Sequence, residues 1–243
     1  MSVPGPRIGV LLPTFRDDPA GPLSIAASAE AVGIDGLFVY DHLWPMGRPD
    51  RPALAPFPML GALAAATQRV WLGPLVARIG VVPDETLVSQ VAALEYLAPG
   101  RVIAALGTGD RLSFNENHAY GVAVDPSIDR REAVGDCARS LLALGFTVWI
   151  GGTARPTIEV AERVGAVPNF WQAPPERVAA QAARTEVTWA GMARPGGEGE
   201  ELGSAELYEI AAPLAGAGAS WLVFGWPIRL DQLAAAAERL RNR

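Results

Sequence analysis

The sequence predicts an α/β protein, a single (β/α)8 barrel of the TIM type with short insertions, and three observations carry that prediction. Short aliphatic and β-branched runs alternate with Ala-rich stretches of helical period along the whole chain, which is the rhythm of βα units. Two of those runs, GLFVYDHLWP and RVIAALGTGD, stop abruptly at groups able to move protons or hold a polar ligand: Asp41 with His42, and Asp110. Continuous apolar character marks a strand covered by helices on both faces. Polar residues just beyond it fall at the carboxyl end, where barrels and open α/β sheets place their sites. Finally, 243 residues suit one barrel used as a single unit over 1–243.

Taken in order, eight strands are expected at 8–12, 36–40, 70–76, 101–106, 147–150, 166–170, 186–190 and 221–224. Helical stretches follow them, among them 23–32, 85–97, 156–164, 176–184 and 230–241, with Ser127 or Asp129 opening another that runs to Leu144. Gly33, Gly145 and Gly165 stand where residues just past a helix stand, and Pro99-Gly100 stops a helix before the fourth strand. Eight such repeats close a barrel; a doubly wound open sheet is the competing arrangement. Pro168 argues against the sixth strand unless it lies at the strand's start or at a bulge. The Gly/Glu-rich stretch 193–204 belongs to the seventh βα loop and looks mobile; it is not a domain boundary. The longest polar connection, 110–126, holds Asn115, Glu116, Asn117, His118 and Tyr120, and long loops at such places more often serve function.

Composition narrows the class. Half the residues are hydrophobic and 19% charged, so a sizeable core is available. A net charge of −6 gives no electrostatic footprint for nucleic acid or an anionic membrane, leaving a small-molecule substrate as the expected partner. All 20 basic residues are Arg, which removes Schiff-base and P-loop lysine chemistry. The one cysteine, Cys137, forms no internal disulfide, and the N-terminal MSVPGPRIGVLLP lacks the apolar core of a signal peptide. The longest apolar stretch, 70–82, is interrupted by Arg78 and is too short to span a bilayer. A cytoplasmic protein is expected.

Three strand ends could do chemistry. His42 reads either as a loop histidine satisfied by a hydrogen bond or as a proton donor and acceptor suited to neutral pH. Neighbours on a strand point oppositely, so Asp41 and His42 are expected in separate roles, not as a dyad. In Gly107-Thr108-Gly109-Asp110 the glycines either turn the chain or let a flat ligand approach the backbone, with Asp110 capping or facing it. Gly151-Gly152-Thr153 is an ordinary turn or a phosphate cradle ahead of a helix, with Arg155 as a nearby charge. His118 reads as a surface residue. With two histidines and one cysteine in no ligand spacing, no metal is expected. No GxSxG elbow and no GxGxxG after the first strand are present.

The succession IGVLLP, GIDGLFVYDHL, LAAATQRVWLG, LEYLAPGRVIAALGTGD and VWIGGT resembles the bacterial luciferase-like flavin oxidoreductases. The likeness covers nearly the whole chain and is strongest over 8–120 and 148–171. DHL combined with GTGDRLSFNENHAYG is more similar to the actinobacterial branch that uses the deazaflavin coenzyme F-420. An Arg-only, Ala-rich composition fits a GC-rich genome. The resemblance implies an oxidoreductase whose flavin-like ring lies in the barrel mouth, with coenzyme F-420 as cofactor and FMN as the alternative. The second reading is then an FMN-dependent monooxygenase, and the third a barrel that binds such a cofactor without turnover. It further implies catalytic roles for His42 and Asp110, Asp41 at the ring edge, and a non-proline cis peptide at Leu75-Val76 under the ring. Asn117 would touch the cofactor tail, Gly107, Thr108 and Gly109 the ring's surroundings, and Gly151, Gly152 and Thr153 the phosphate, with Arg155 and Arg78 as basic partners. A homodimer is implied as well. Family members usually carry an insertion before the fifth strand that this chain lacks at Leu144-Gly145-Phe146-Thr147, which implies a more open site.

Overall fold

The computed structural model describes residues 5–45, 47–109, 113–123, 126–194 and 201–242. In chain order the elements are β1 (Arg7–Leu11), α1 (Ala20–Ala31), β2 (Gly36–Val39), α2 (Pro56–Ala66), β3 (Trp71–Pro74), β4 (Ala77–Arg78), α3 (Asp84–Leu97) and β5 (Ile103–Gly107). There follow α4 (Phe114–Ala119), α5 (Ser127–Ala143), β6 (Thr147–Gly151), α6 (Arg155–Val164), β7 (Val167–Trp171), α7 (Pro175–Ala182), β8 (Thr188–Gly191), α8 (Ser204–Gly216), β9 (Trp221–Gly225) and α9 (Leu230–Arg241). Every pairing is parallel, in the order β3-β2-β1-β9-β8-β7-β6-β5-β4. The ring closes where Leu72 of β3 bridges Val102, its N–H donating to the Arg101 carbonyl at 2.7 Å.

All eight expected strands are present, and the expected third one is divided. Its lower half, β3, lies between β2 and the start of β5, and its upper end, β4, pairs with the top of β5 through Ala77↔Leu106 and Arg78↔Gly107. The Leu75-Val76 peptide bond between the halves is cis. Pro168 does sit within β7, opposite Ile150. In a parallel ladder each residue turns its N–H to one neighbour only, and the β7–β8 register begins a residue later at Asn169↔Thr188, so the missing N–H breaks no established rung. The polar connection after β5 is not wholly irregular: α4 occupies its middle. Of the Gly/Glu-rich stretch, 195–200 lies outside the described residues.

Alternation along the strands sorts the core into two clusters. Leu11, Phe38, Ile103, Ala105, Trp149, Ala190, Trp221 and Val223 point into the lumen. Their neighbours Val10, Leu37, Ala104, Val148, Ile150, Leu222 and Phe224 point outward beneath the helices. Phe38 stacks on Trp149 at 5.3 Å, and both meet Trp221 edge-on at 5.9 and 5.5 Å. Three large aromatics therefore plug the lumen beneath the carboxyl ends of the strands. Gly33, Gly145 and Gly165 adopt φ of +85°, +89° and +81°, as a chain leaving a helix requires. Among the described residues no helix is long and apolar enough to cross a membrane.

Candidate active site

A cavity of about 410 Å³ opens at the carboxyl ends of the strands, within the range that holds a small organic ligand. The chain leaves β2 through Tyr40-Asp41-His42, all three of which line it. Asp41 and His42 part company, as strand alternation predicts. The Asp41 carboxylate turns to β4 and accepts the N–H of Arg78 at 2.7 Å. His42 turns the other way, to α4, with Nδ1 2.8 Å from Oε1 of Glu116. Phe15 stacks on Tyr40 at 4.8 Å and lies 5.8 Å from the imidazole, bracing it from the β1 side.

Glu116 is 1% exposed and sits among four polar partners. Besides His42, it accepts Nη1 of Arg78 at 2.6 Å and the N–H groups of Leu43 and Trp44 at 2.9 and 3.3 Å. Arg78 is 4% exposed; the same Nη1 reaches Oδ1 of Asn117 at 3.0 Å. Two buried opposite charges thus neutralise one another beneath the cavity wall, an arrangement that tolerates burial only when the pair is complete. Desolvation raises the Asp41 carboxyl above its ordinary value; the Arg78 N–H and its charge oppose this. Burial likewise pushes the Tyr40 phenol up to about 12, so it stays a neutral hydroxyl.

The opposite wall explains two glycines. Gly107 and Gly151 are partners across β5 and β6. A Cβ on Gly107 would stand 2.3 Å from Cγ2 of Val76, and one on Gly151 would stand 2.7 Å from Cγ1. The space above both is filled by the Val76 isopropyl group, carried there where the chain passes from β3 to β4. Their smallness makes room for a side chain of this protein.

Of the residues singled out from the sequence, His42, Asp41, Leu75, Val76, Gly107, Thr108, Gly109, Gly151 and Gly152 line the one cavity. Asn117 does not; its amide oxygen serves Arg78. Thr153 does not either, and its carbonyl accepts from Arg177. The N–H of Gly152 is already donated to the Asn169 carbonyl at 3.0 Å. Arg155 lies on the outer surface, paired with Glu159 at 2.8 Å and away from the cavity, whereas Arg78 lines the cavity with Nη1 on Glu116 and Asn117 and its buried Nε and Nη2 without a partner among the described residues. Asp110 lies outside the described residues. His118 is exposed, as expected.

Sequence reasoning gave no role to Glu116, Asn169 or Trp171. The last two follow the strand-end rule: Asn169 and Trp171 line the cavity from the end of β7, with the Asn169 amide held by Thr188 Oγ1 at 2.8 Å. Glu116 carried no such signal, since a carboxylate in a polar loop ordinarily faces water.

Residues 6–144 match the family described as luciferase-like monooxygenase. An F-420-dependent glucose-6-phosphate dehydrogenase from Nakamurella multipartita is 34% identical over 114 residues, covering 46% of this chain and 34% of that protein. Its counterpart from Beutenbergia cavernae is 37% identical over 108 residues, covering 44% and 32%. The matched part thus spans about a third of these relatives' length. Among solved structures, an F-420-dependent secondary alcohol dehydrogenase in complex with an F-420–acetone adduct superposes with a TM-score of 0.80 over 98% of this chain and 99% of that one. At 14% identity that likeness is one of fold.

Proposed function

Because the chain belongs to the luciferase-like monooxygenase family, we propose that it is a coenzyme F-420-dependent oxidoreductase, transferring a hydride between the bound deazaflavin and a small organic substrate. The observation that carries the reading is His42 at the cavity wall, its Nδ1 tied to a buried carboxylate, in one lining with Leu75 and Val76. The named cofactor of the F-420-dependent relatives supports the choice of deazaflavin.

The residues present fit such a group. Leu75, Val76, Tyr40 and Trp171 supply apolar lining for a flat ring system, and the strand-end backbone at Thr108, Gly109 and Gly152 supplies a polar margin. When bound, the deazaflavin supplies the carbon that accepts or gives up the hydride. His42 takes or returns the accompanying proton at Nε2, the ring nitrogen without a partner among the described residues. Asp41 holds Arg78's backbone, and with it the top of β4, so that Val76 stays in place. Asp110 is proposed as a second acid or base next to the ring.

Fluorescence and absorbance titration with coenzyme F-420 and with FMN tests the cofactor. Tighter binding of F-420 is expected, and a clear preference for FMN would replace this reading by the monooxygenase one. Turnover is read as deazaflavin reduction or oxidation across a panel of alcohols, sugar phosphates and carbonyl compounds. His42→Ala should lose roughly 100-fold or more in kcat, the scale of general acid–base catalysis. Equal rates in wild type and variant would take His42 out of the mechanism.

A further inference from the structure

Glu116 reaches His42 across 74 positions of sequence, from a six-residue helix that contributes no strand end to the barrel. Its two oxygens divide the work. Oε1 lies between Nη1 of Arg78 and Nδ1 of His42, while Oε2 receives the N–H groups of Leu43 and Trp44. The guanidinium and both backbone N–H groups can only donate, so the carboxylate is held as an acceptor on both oxygens. The remaining partner, Nδ1, completes a hydrogen bond with such an acceptor only if it carries a proton. A neutral imidazole has one N–H, and its position decides which nitrogen is left to accept.

We propose that Glu116 is the positioning residue of this site: it fixes His42 as the Nδ1–H tautomer and so leaves Nε2 as the proton-accepting atom turned to the ligand. Arg78 completes the device. Its Nη1 donates to the same Oε1 that meets Nδ1, so that oxygen is an acceptor toward both neighbours and Nε2 is left as the nitrogen that can take and return a proton. When Nε2 takes a proton from a substrate hydroxyl, the ring becomes an imidazolium bonded at Nδ1 to Glu116, and no proton passes to the carboxylate. The bonds to Leu43 and Trp44 fix the chain on the far side of His42, so the ring is held in direction as well as in tautomer. Its service to catalysis rests on the reading of function above; the tautomer itself does not.

The test is therefore made on the protein without coenzyme. Only two histidines are present, and His118, exposed on α4, serves as an internal reference for an unconstrained ring. Long-range nitrogen–proton correlation spectra of ¹⁵N-His protein, recorded well above neutral pH, report which nitrogen of each ring is protonated. The wild type should show His42 as Nδ1–H while His118 shows the usual excess of Nε2–H. Glu116→Leu, which keeps the length of the side chain and removes both acceptor oxygens, should shift His42 toward Nε2–H and leave the His118 signals in place. A wild-type His42 protonated at Nε2 would overturn the proposal without any variant being made. So would a Glu116→Leu protein with unchanged His118 signals and an unchanged His42 tautomer. An Nδ1–H His42 in a protein that binds neither F-420 nor FMN would leave this inference standing and remove the functional reading alone.

Discussion

Asp41 shows at the scale of one residue how the site trades stability for arrangement. Its carboxyl is buried, accepts a single backbone N–H, and is raised above the ordinary carboxylate range by desolvation. Between the ordinary value and the raised one, the native state keeps a proton that the unfolded chain has lost. The unfolded state then binds fewer protons, so stability falls as pH rises through that window. Asp41→Asn keeps the shape and removes the charge. Urea unfolding at a series of pH values should show the variant gaining on the wild type as pH rises through the window, then holding a constant advantage. A deficit that widens with pH would mean that the ionised carboxylate is the favoured form. The same substitution should weaken ligand binding if Asp41 meets the ring edge, which is the common cost of stabilising a functional position.

At the scale of elements, the divided third strand is what makes the cavity wall. The chain steps from β3 to β4 through Leu75 and Val76, and Val76 is carried over Gly107 of β5 and Gly151 of β6. Gly107→Ala would force a methyl group against the Val76 side chain and should destabilise the protein by about 1–3 kcal/mol, as overpacking does. Val76→Ala in the same chain removes the obstruction. The double variant should therefore be more stable than the two single losses add up to, a coupling that chemical denaturation of all four proteins measures. Strict additivity would show that the glycine answers to something else.

Across the whole molecule, the outer shell of helices encloses the one thiol. Cys137 on α5 is 2% exposed, and burial with neighbouring acidic groups pushes its thiol up to about 12. Native protein should react with a disulfide reagent only on the timescale of unfolding, whereas denaturant should expose one thiol per chain at once. Rapid reaction of the native state would mean that α5 opens locally.

Much of this was legible without coordinates. The alternation of β-branched runs with Ala-rich helices gives the barrel, because burial on both faces of a strand leaves its mark in every residue of the run. The strand-end rule finds Asp41, His42 and the two glycine segments, and period-two alternation separates Asp41 from His42. Local chemistry of this kind is written in neighbours along the chain. Closure of the ring decided the rest. It brought Glu116 to His42, tied Nη1 of Arg78 to that carboxylate, and filled the room above Gly107 with Val76. A carboxylate in a polar loop and an arginine past a strand look alike whether they face water or each other. Only the fold fixes which, since removing both from solvent makes their pairing obligatory.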